Sequence, residues 1–324
     1  MLLKGIKYIS LISFALLFLP STAVLVNFYK LVLPNGKNVY LFFEIHRPPS
    51  IQDEQQLENF SKILILRDQL QKTPIHLMVE VPPFLCQERE SRQKVTYNIL
   101  EKVAHCPSII AEDIEIRCIA NSSDYLLDLP KRFFEEKPSM FLWFLEKESF
   151  LHFNAADDWC ILGDITFGML LNEFKTQNAK ICSYLDSIIS GKHFYSRKKL
   201  SVVGCEAELI AHLKDADVHP DDRIINFVKK MNGNSDQLIL VNRLKNIISD
   251  YGTHLFDLHI LRKILESQHD HCLLIAGAAH SEWICNALEE LDAQYEVVEG
   301  DRKIPLERQS FNVFRASLGL PASM

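Results

Sequence analysis

The chain has 324 residues, 48% of them hydrophobic and 24% charged, with a formal net charge of -7. That is enough apolar chain for one large α/β domain or two smaller ones, and it excludes a disordered or fibrous protein. The mildly acidic balance, with no basic stripe interleaved with aromatics, points away from nucleic acid as a partner.

The amino terminus reads as a targeting segment. Lys4 and Lys7 precede an apolar run from Tyr8 to Leu19, Pro20 breaks it, and Ser21-Thr22-Ala23 offers the small residues that a signal peptidase requires. Residues 1–23 are therefore predicted to be a signal peptide or, uncleaved, an anchor. Either way the protein is expected to be exported, periplasmic or secreted, or associated with the membrane through this segment. The run is short for a spanning helix, although Val24-Leu25-Val26 would extend it past the proline. Export permits disulfides among the eight cysteines, but their spacing is irregular and holds no C-x-x-C. Cys272 and Cys285 read as free buried thiols.

Residues 24–324 are predicted to form one α/β domain. Leu31 to Lys37, with Asn35-Gly36 at its tip, reads as a strand entering a turn. Asn38 to His46 is the next strand; Glu44 and His46, two apart, share one of its faces. Arg47-Pro-Pro ends it, and Ser50-Ile-Gln-Asp53 starts a helix reaching about Gln71. The same grammar recurs in Pro74 to Val81, a strand with Glu80 at its carboxyl end, followed by a helix over about 88–104. Ser108 to Ile119 is a third strand. It carries Glu112 on one face and Asp113, Glu115 and Arg117 on the other.

From about residue 126 to 263 the pattern is mainly helical, and it reads as a helical insertion or cap between early and late strands. Gly191 to Lys199 reads as a basic loop within it, and Asn232-Gly-Asn-Ser as a break. Cys272 to Ala276 is evenly apolar, as befits a central parallel strand covered on both faces. Gly277-Ala-Ala turns the chain, His280 follows, and a helix opens at about Ser281, its N-cap. Gln294 to Glu299 is the last strand, before a polar tail with little pattern. The predicted fold is a largely parallel mixed sheet flanked by helices, with the helical insertion in the middle of the chain.

If these strands are parallel neighbours, Glu44, His46, Glu80, Glu112 or Asp113, and His280 gather at one edge, the carboxyl edge where open α/β sheets bind ligands. A carboxylate near a buried strand end is costly unless it is paired, hydrogen-bonded or bound to a cation. Two imidazoles with carboxylates suit a divalent transition metal, which lowers the pKa of bound water. Without metal, His46 is a candidate general base held by a carboxylate. Against this stand plainer readings: Glu80 as a helix cap or arginine partner, and Asp113, Glu115 and Arg117 as an ion-pair face. His269, His271 and His76 fall at the opposite edge. His212, His219, His254 and His259 read as surface or packing residues. No G-x-S-x-G, H-E-x-x-H, Walker A or G-x-G-x-x-G is present.

At FEIH (43–46), at Glu80 in MVEV and at AGAAH (276–280) the chain resembles the broad superfamily that holds the ChaN haem-binding proteins, the erythromycin esterases, and the TraB/GumN and Tiki proteins. ChaN-like members carry G-E-x-H at the first of these points, where this chain has Phe43 for the glycine. The resemblance spans the outer thirds of the chain and implies that Glu44, His46, Glu80 and His280 are the functional positions.

Function is therefore expected to be that of a metal-dependent hydrolase of a peptide or ester bond, with a small-molecule or peptide substrate. His46, His280 and Glu80 are its catalytic candidates, and Glu44, His46 and His280 its metal ligands. Two alternatives come from other classes. One is a haem- or ligand-binding protein resembling ChaN, with a histidine or tyrosine as axial ligand. The other is a degenerate interaction scaffold, which Phe43 favours.

Overall fold

The computed structural model describes residues 22–47, 51–70, 72–80, 94–114, 166–188, 193–231, 235–300 and 308–321. Its strands are β1 (Thr22–Val32), β2 (Asn38–Arg47), β3 (Ile75–Val79), β4 (Ile109–Asp113), β5 (His271–Gly277) and β6 (Gln294–Gly300). The helices are α1 (Ile51–Gln69), α2 (Lys94–Val103), α3 (Phe167–Ile188), α4 (His193–Asp215), α5 (Ile224–Met231), α6 (Ser235–Glu266), α7 (Ala278–Glu290) and α8 (Arg308–Ser317). The chain divides into two compact units, Met1–Ile114 with Ile264–Met324, and Glu115–Lys263.

The first unit holds a six-stranded sheet in the order β4-β3-β5-β2-β1-β6. β2, β5, β3 and β4 pair in parallel, while β1 runs antiparallel to both β2 and β6, so β1 alone is reversed. This is the expected α/β architecture, a mixed and mostly parallel sheet with helices beside it. β1 and β2 form a hairpin whose turn is closed by Leu33 N–H to Lys37 O at 2.9 Å. Gly36 there has φ of 86°, a left-handed conformation that favours glycine.

One face of the sheet packs against α1, α2 and α8. Phe28, Tyr40, Phe42, Leu77, Val79, Leu273 and Ile275 pack with Phe60 and Leu64 of α1, Ile99 and Val103 of α2, and Phe311 and Phe314 of α8. The Phe314 ring lies 4.8 Å from that of Phe42 and 5.3 Å from that of Phe28, both edge-on. Such aromatic pairs add to the area they bury. α7 packs on β2 and β5.

The second unit leaves the chain after β4 and returns through α6 into β5. Within it Asn178 of α3 donates to Glu206 of α4 at 2.7 Å, and the Phe174 and Tyr251 rings stack at 3.9 Å. Arg243 of α6 pairs with Asp215 of α4 at 2.7 Å. His212 of α4 is fully buried, edge-on to the Phe227 ring.

Several elements differ from the sequence expectation. β1 begins at Thr22 rather than near Leu31, so Val24, Leu25 and Val26 belong to the sheet and not to an extension of the apolar run. Alternation across a two-sided sheet was masked by an unbroken apolar stretch. From His193 the expected basic loop is helical, because beyond Gly191 it holds no helix breaker and runs into the apolar stripe of α4. α6 is one helix of 32 residues that opens at Ser235, the end of the expected break at Asn232-Gly-Asn-Ser. The carboxyl-terminal tail forms α8, whose Phe311 and Phe314, three apart, face the core. α7 starts at Ala278, with Gly277 as N-cap, so Ser281 is an interior residue of the helix. The expected strand over 108–119 is described to Ile114, its remainder lying outside the described residues, as do residues 88–93 of the expected second helix.

Candidate active site at the carboxyl edge of the sheet

β2, β5 and β3 are neighbours that run the same way, so their carboxyl ends lie side by side. Glu44 pairs with Gly277 in the β2–β5 register, and Glu80 follows directly on β3. The Glu80 backbone N–H donates to Ile275 O at 2.8 Å, which keeps the chain in line with β5. Its side chain turns back, and Oε2 accepts the Gly277 N–H at 2.7 Å. Gly277 is also the N-cap of α7, so the carboxylate accepts from a donor at a helix amino terminus, where negative charge is stabilised.

Glu44 and Glu80 are 2% and 5% exposed. Burial holds the Glu44 carboxyl well above the usual carboxylate range, and the neighbouring Glu80 charge raises it further. Glu44 is thus the more weakly acidic carboxyl of the two, and Glu80 is the one whose Oε2 accepts the Gly277 N–H. His280, partly exposed in the first turn of α7, lies over the same spot. A methyl group built on Gly277 would sit 3.4 Å from Glu80 Oε2 and 3.6 Å from His280 Cδ2. Behind the site, Ser281 Oγ lies 3.2 Å from Phe42 O and 3.1 Å from Ala276 O, as donor to these strand carbonyls, and fixes α7 against β2 and β5.

Glu44, Glu80 and His280 are therefore together. His46 stands two residues farther along β2, its backbone paired with Ala23, and its side chain lies outside the described residues. Glu112 is not at this edge. Its Oε1 lies 2.6 Å from His76 Nε2, and His76 Nδ1 is 3.0 Å from Ser267 Oγ, a cluster built on the opposite side. Burial opposes charge on His76, but hydrogen bonds to the Cys272 thiol and to Glu112 outweigh it and push the imidazole up to about 9. Asp113 closes β4, exposed and level with Val79. His271 lies in β5 rather than in a solvated loop; its Nδ1 is 3.1 Å from the Tyr40 hydroxyl, and burial, then Arg67, push it down to about 4. Sequence reading missed Gly277 as a functional group. Its role is that of a backbone donor, which residue type does not announce.

Among the described residues, no three His, Cys, Asp or Glu side chains are grouped to hold a metal ion. Glu44 and His280 are of the residue types that ligate divalent cations, and a metal centre at this edge would take at least one further ligand. The arrangement sets two carboxyl groups of the same residue type in different surroundings, with an imidazole beside them, a combination suited to proton transfer. No protein-family model matches the chain, and no curated protein or solved structure matches it.

Proposed function

We propose that the chain is a hydrolase of ester or peptide bonds that works at the carboxyl edge of its sheet. Glu44 is the proton donor, Glu80 the positioned carboxylate, and His46 and His280 the imidazoles that activate water and take up its proton. The observation that carries the reading is the pair of buried glutamates at the ends of β2 and β3, on either side of β5, one raised by burial and its neighbour's charge, the other hydrogen-bonded to Gly277. Two such groups at a strand-end site fit a reaction that both withdraws and returns a proton. The resemblance to the ChaN, erythromycin esterase and TraB/GumN proteins supports the same positions. In the metal-dependent form of the proposal Glu44, His46 and His280 hold a divalent ion, which when bound supplies hydroxide at neutral pH.

The test is turnover of a panel of aryl esters and peptides by the purified chain, before and after chelation, with Glu44→Gln, Glu80→Gln and His46→Ala. Each substitution is expected to lower kcat by about 10²- to 10⁴-fold, the usual contribution of a positioned acid or base, with the circular dichroism spectrum unchanged. Loss of activity on chelation, with the metal displaced in His46→Ala, establishes the metal form. Unchanged turnover in all three variants overturns the proposal. So does an inert chain that develops a Soret band on haem titration.

A further inference from the structure

β1 gives the amino-terminal segment a defined attachment point. Because β1 is antiparallel to β2, its first residues lie at the edge where β2, β3 and β5 end: Thr22 pairs with Arg47, Ala23 with His46 and Leu25 with Glu44. The apolar run from Tyr8 ends at Leu19, three residues before β1 begins at Thr22. Fully extended, the chain from Leu19 to Leu25 spans at most about 20 Å. The end of the run is therefore held within that distance of the residue paired with Glu44. The Asn35-Gly36 turn marks the other end of the hairpin, about 30 Å away along β2.

Further observations bear on what the segment does. Leu25 and Val26 are buried in the sheet, so the apolar run stops at Pro20. The apolar run of residues 8–19 is shorter than the roughly 20 apolar residues that a spanning segment takes. Cleavage after Ala23 would cut inside β1 and remove the partners of Arg47 and His46. In addition, Trp283, a residue type favoured at membrane interfaces, is partly exposed within the first two turns of α7, the helix that starts at this edge. No described helix is long and apolar enough to cross a membrane.

We propose that residues 1–21 are retained and hold the carboxyl edge of the sheet against a lipid surface, so that the Glu44–Glu80–His280 site draws its substrate from the bilayer, an ester-linked amphiphile. The substrate class rests on the hydrolase reading above; the tethering does not. The positive Lys4 and Lys7 favour an anionic surface.

The experiment uses the full chain mixed with phosphatidylcholine vesicles containing phosphatidylglycerol, with the photo-crosslinker p-benzoylphenylalanine placed at Ala279 or at Asn35, both exposed. The expected result is co-flotation with vesicles and lipid adducts at position 279, with none above background at 35. Failure to float, equal adducts at both positions, or a chain isolated from its host with an amino terminus beyond Ala23 overturns the tethering. Hydrolysis is read separately with one ester offered either in vesicles or dissolved. Faster turnover of the vesicle form, lost in Glu80→Gln while the adducts persist, supports the substrate class, and equal turnover of the two forms overturns it. Adducts at 279 with no Glu80-dependent turnover would sink the hydrolase reading and leave the tethering standing.

Discussion

Glu44 and Glu80 carry the same functional group into unlike surroundings, and the difference lies in what each touches. Glu80 Oε2 accepts the Gly277 N–H, whereas burial, then the Glu80 charge, raises the Glu44 carboxyl well above the usual carboxylate range. A carboxyl raised in the folded state binds a proton that the unfolded chain has already released. Glu44 therefore weakens the fold as pH rises above its ordinary value of 4.5, through the folded value. Glu44→Gln should be more stable than wild type at pH 8, by something on the order of 1 kcal/mol, and the gap should close towards pH 4. Thermal melts across that range check it; a gap independent of pH would place the effect in packing instead. His76 has the opposite sense. Raised to about 9, it stabilises fully below 6.5 and loses that contribution as pH passes 9. His76→Gln should cost about 1.5–3 kcal/mol at pH 6, as for a charge-assisted hydrogen bond, and much less at pH 10, which denaturant titrations at the two pH values would show. Both glutamates were legible as strand-end carboxylates, but the engagement of Glu112 by His76 was not. Strand alternation assigns a face; it does not reveal which neighbour a side chain leans towards.

At the scale of elements, the junction of α6 with the sheet depends on one buried lysine. Lys37, 7% exposed at the end of the β1–β2 turn, donates from Nζ to the carbonyls of Ile264, Leu265 and Ser267 at 2.9, 3.1 and 2.7 Å. A cation there satisfies carbonyls left open at a helix carboxyl end and meets the negative end of its dipole. Lys37→Met should keep the apolar stem and lose these bonds, at about 2 kcal/mol in urea titration. Pattern reading located β2, β3, β5, β6 and α1 because each has a clear period or punctuation. It missed α8, where two phenylalanines three apart are the whole apolar signal, and it placed the start of α7 three residues late. Ser281 resembles a cap by residue type, but its hydroxyl is spent on Phe42 O and Ala276 O.

For the molecule as a whole, acid sensitivity has a source in each unit: His271, pushed down to about 4, in the unit that holds the sheet, and His212 in the helical unit. His212 is fully buried, and among the described residues neither ring nitrogen has a hydrogen-bond partner. Burial, then Arg243, pushes its pKa below 6.5. The unfolded chain thus binds a proton that the folded one refuses, and stability falls as pH drops below 6.5. His212→Leu should remove this acid limb, a difference on the order of 1 kcal/mol at pH 5 that vanishes by pH 8. An unchanged limb in melting curves would assign it to another group.

The sequence by itself determined the α/β class, the largely parallel sheet and the carboxylates and histidine at strand ends, since these follow from hydrophobic period and from where polar residues interrupt it. Only the tertiary structure decided which strands are neighbours. The order β4-β3-β5-β2-β1-β6 puts the last third of the chain between the first two parallel strands, and that pairing sets Gly277 and His280 beside Glu44 and Glu80. It also returned the start of β1 to the same edge. Contacts so distant along the chain depend on the free energy of the packed whole, and no local pattern encodes them.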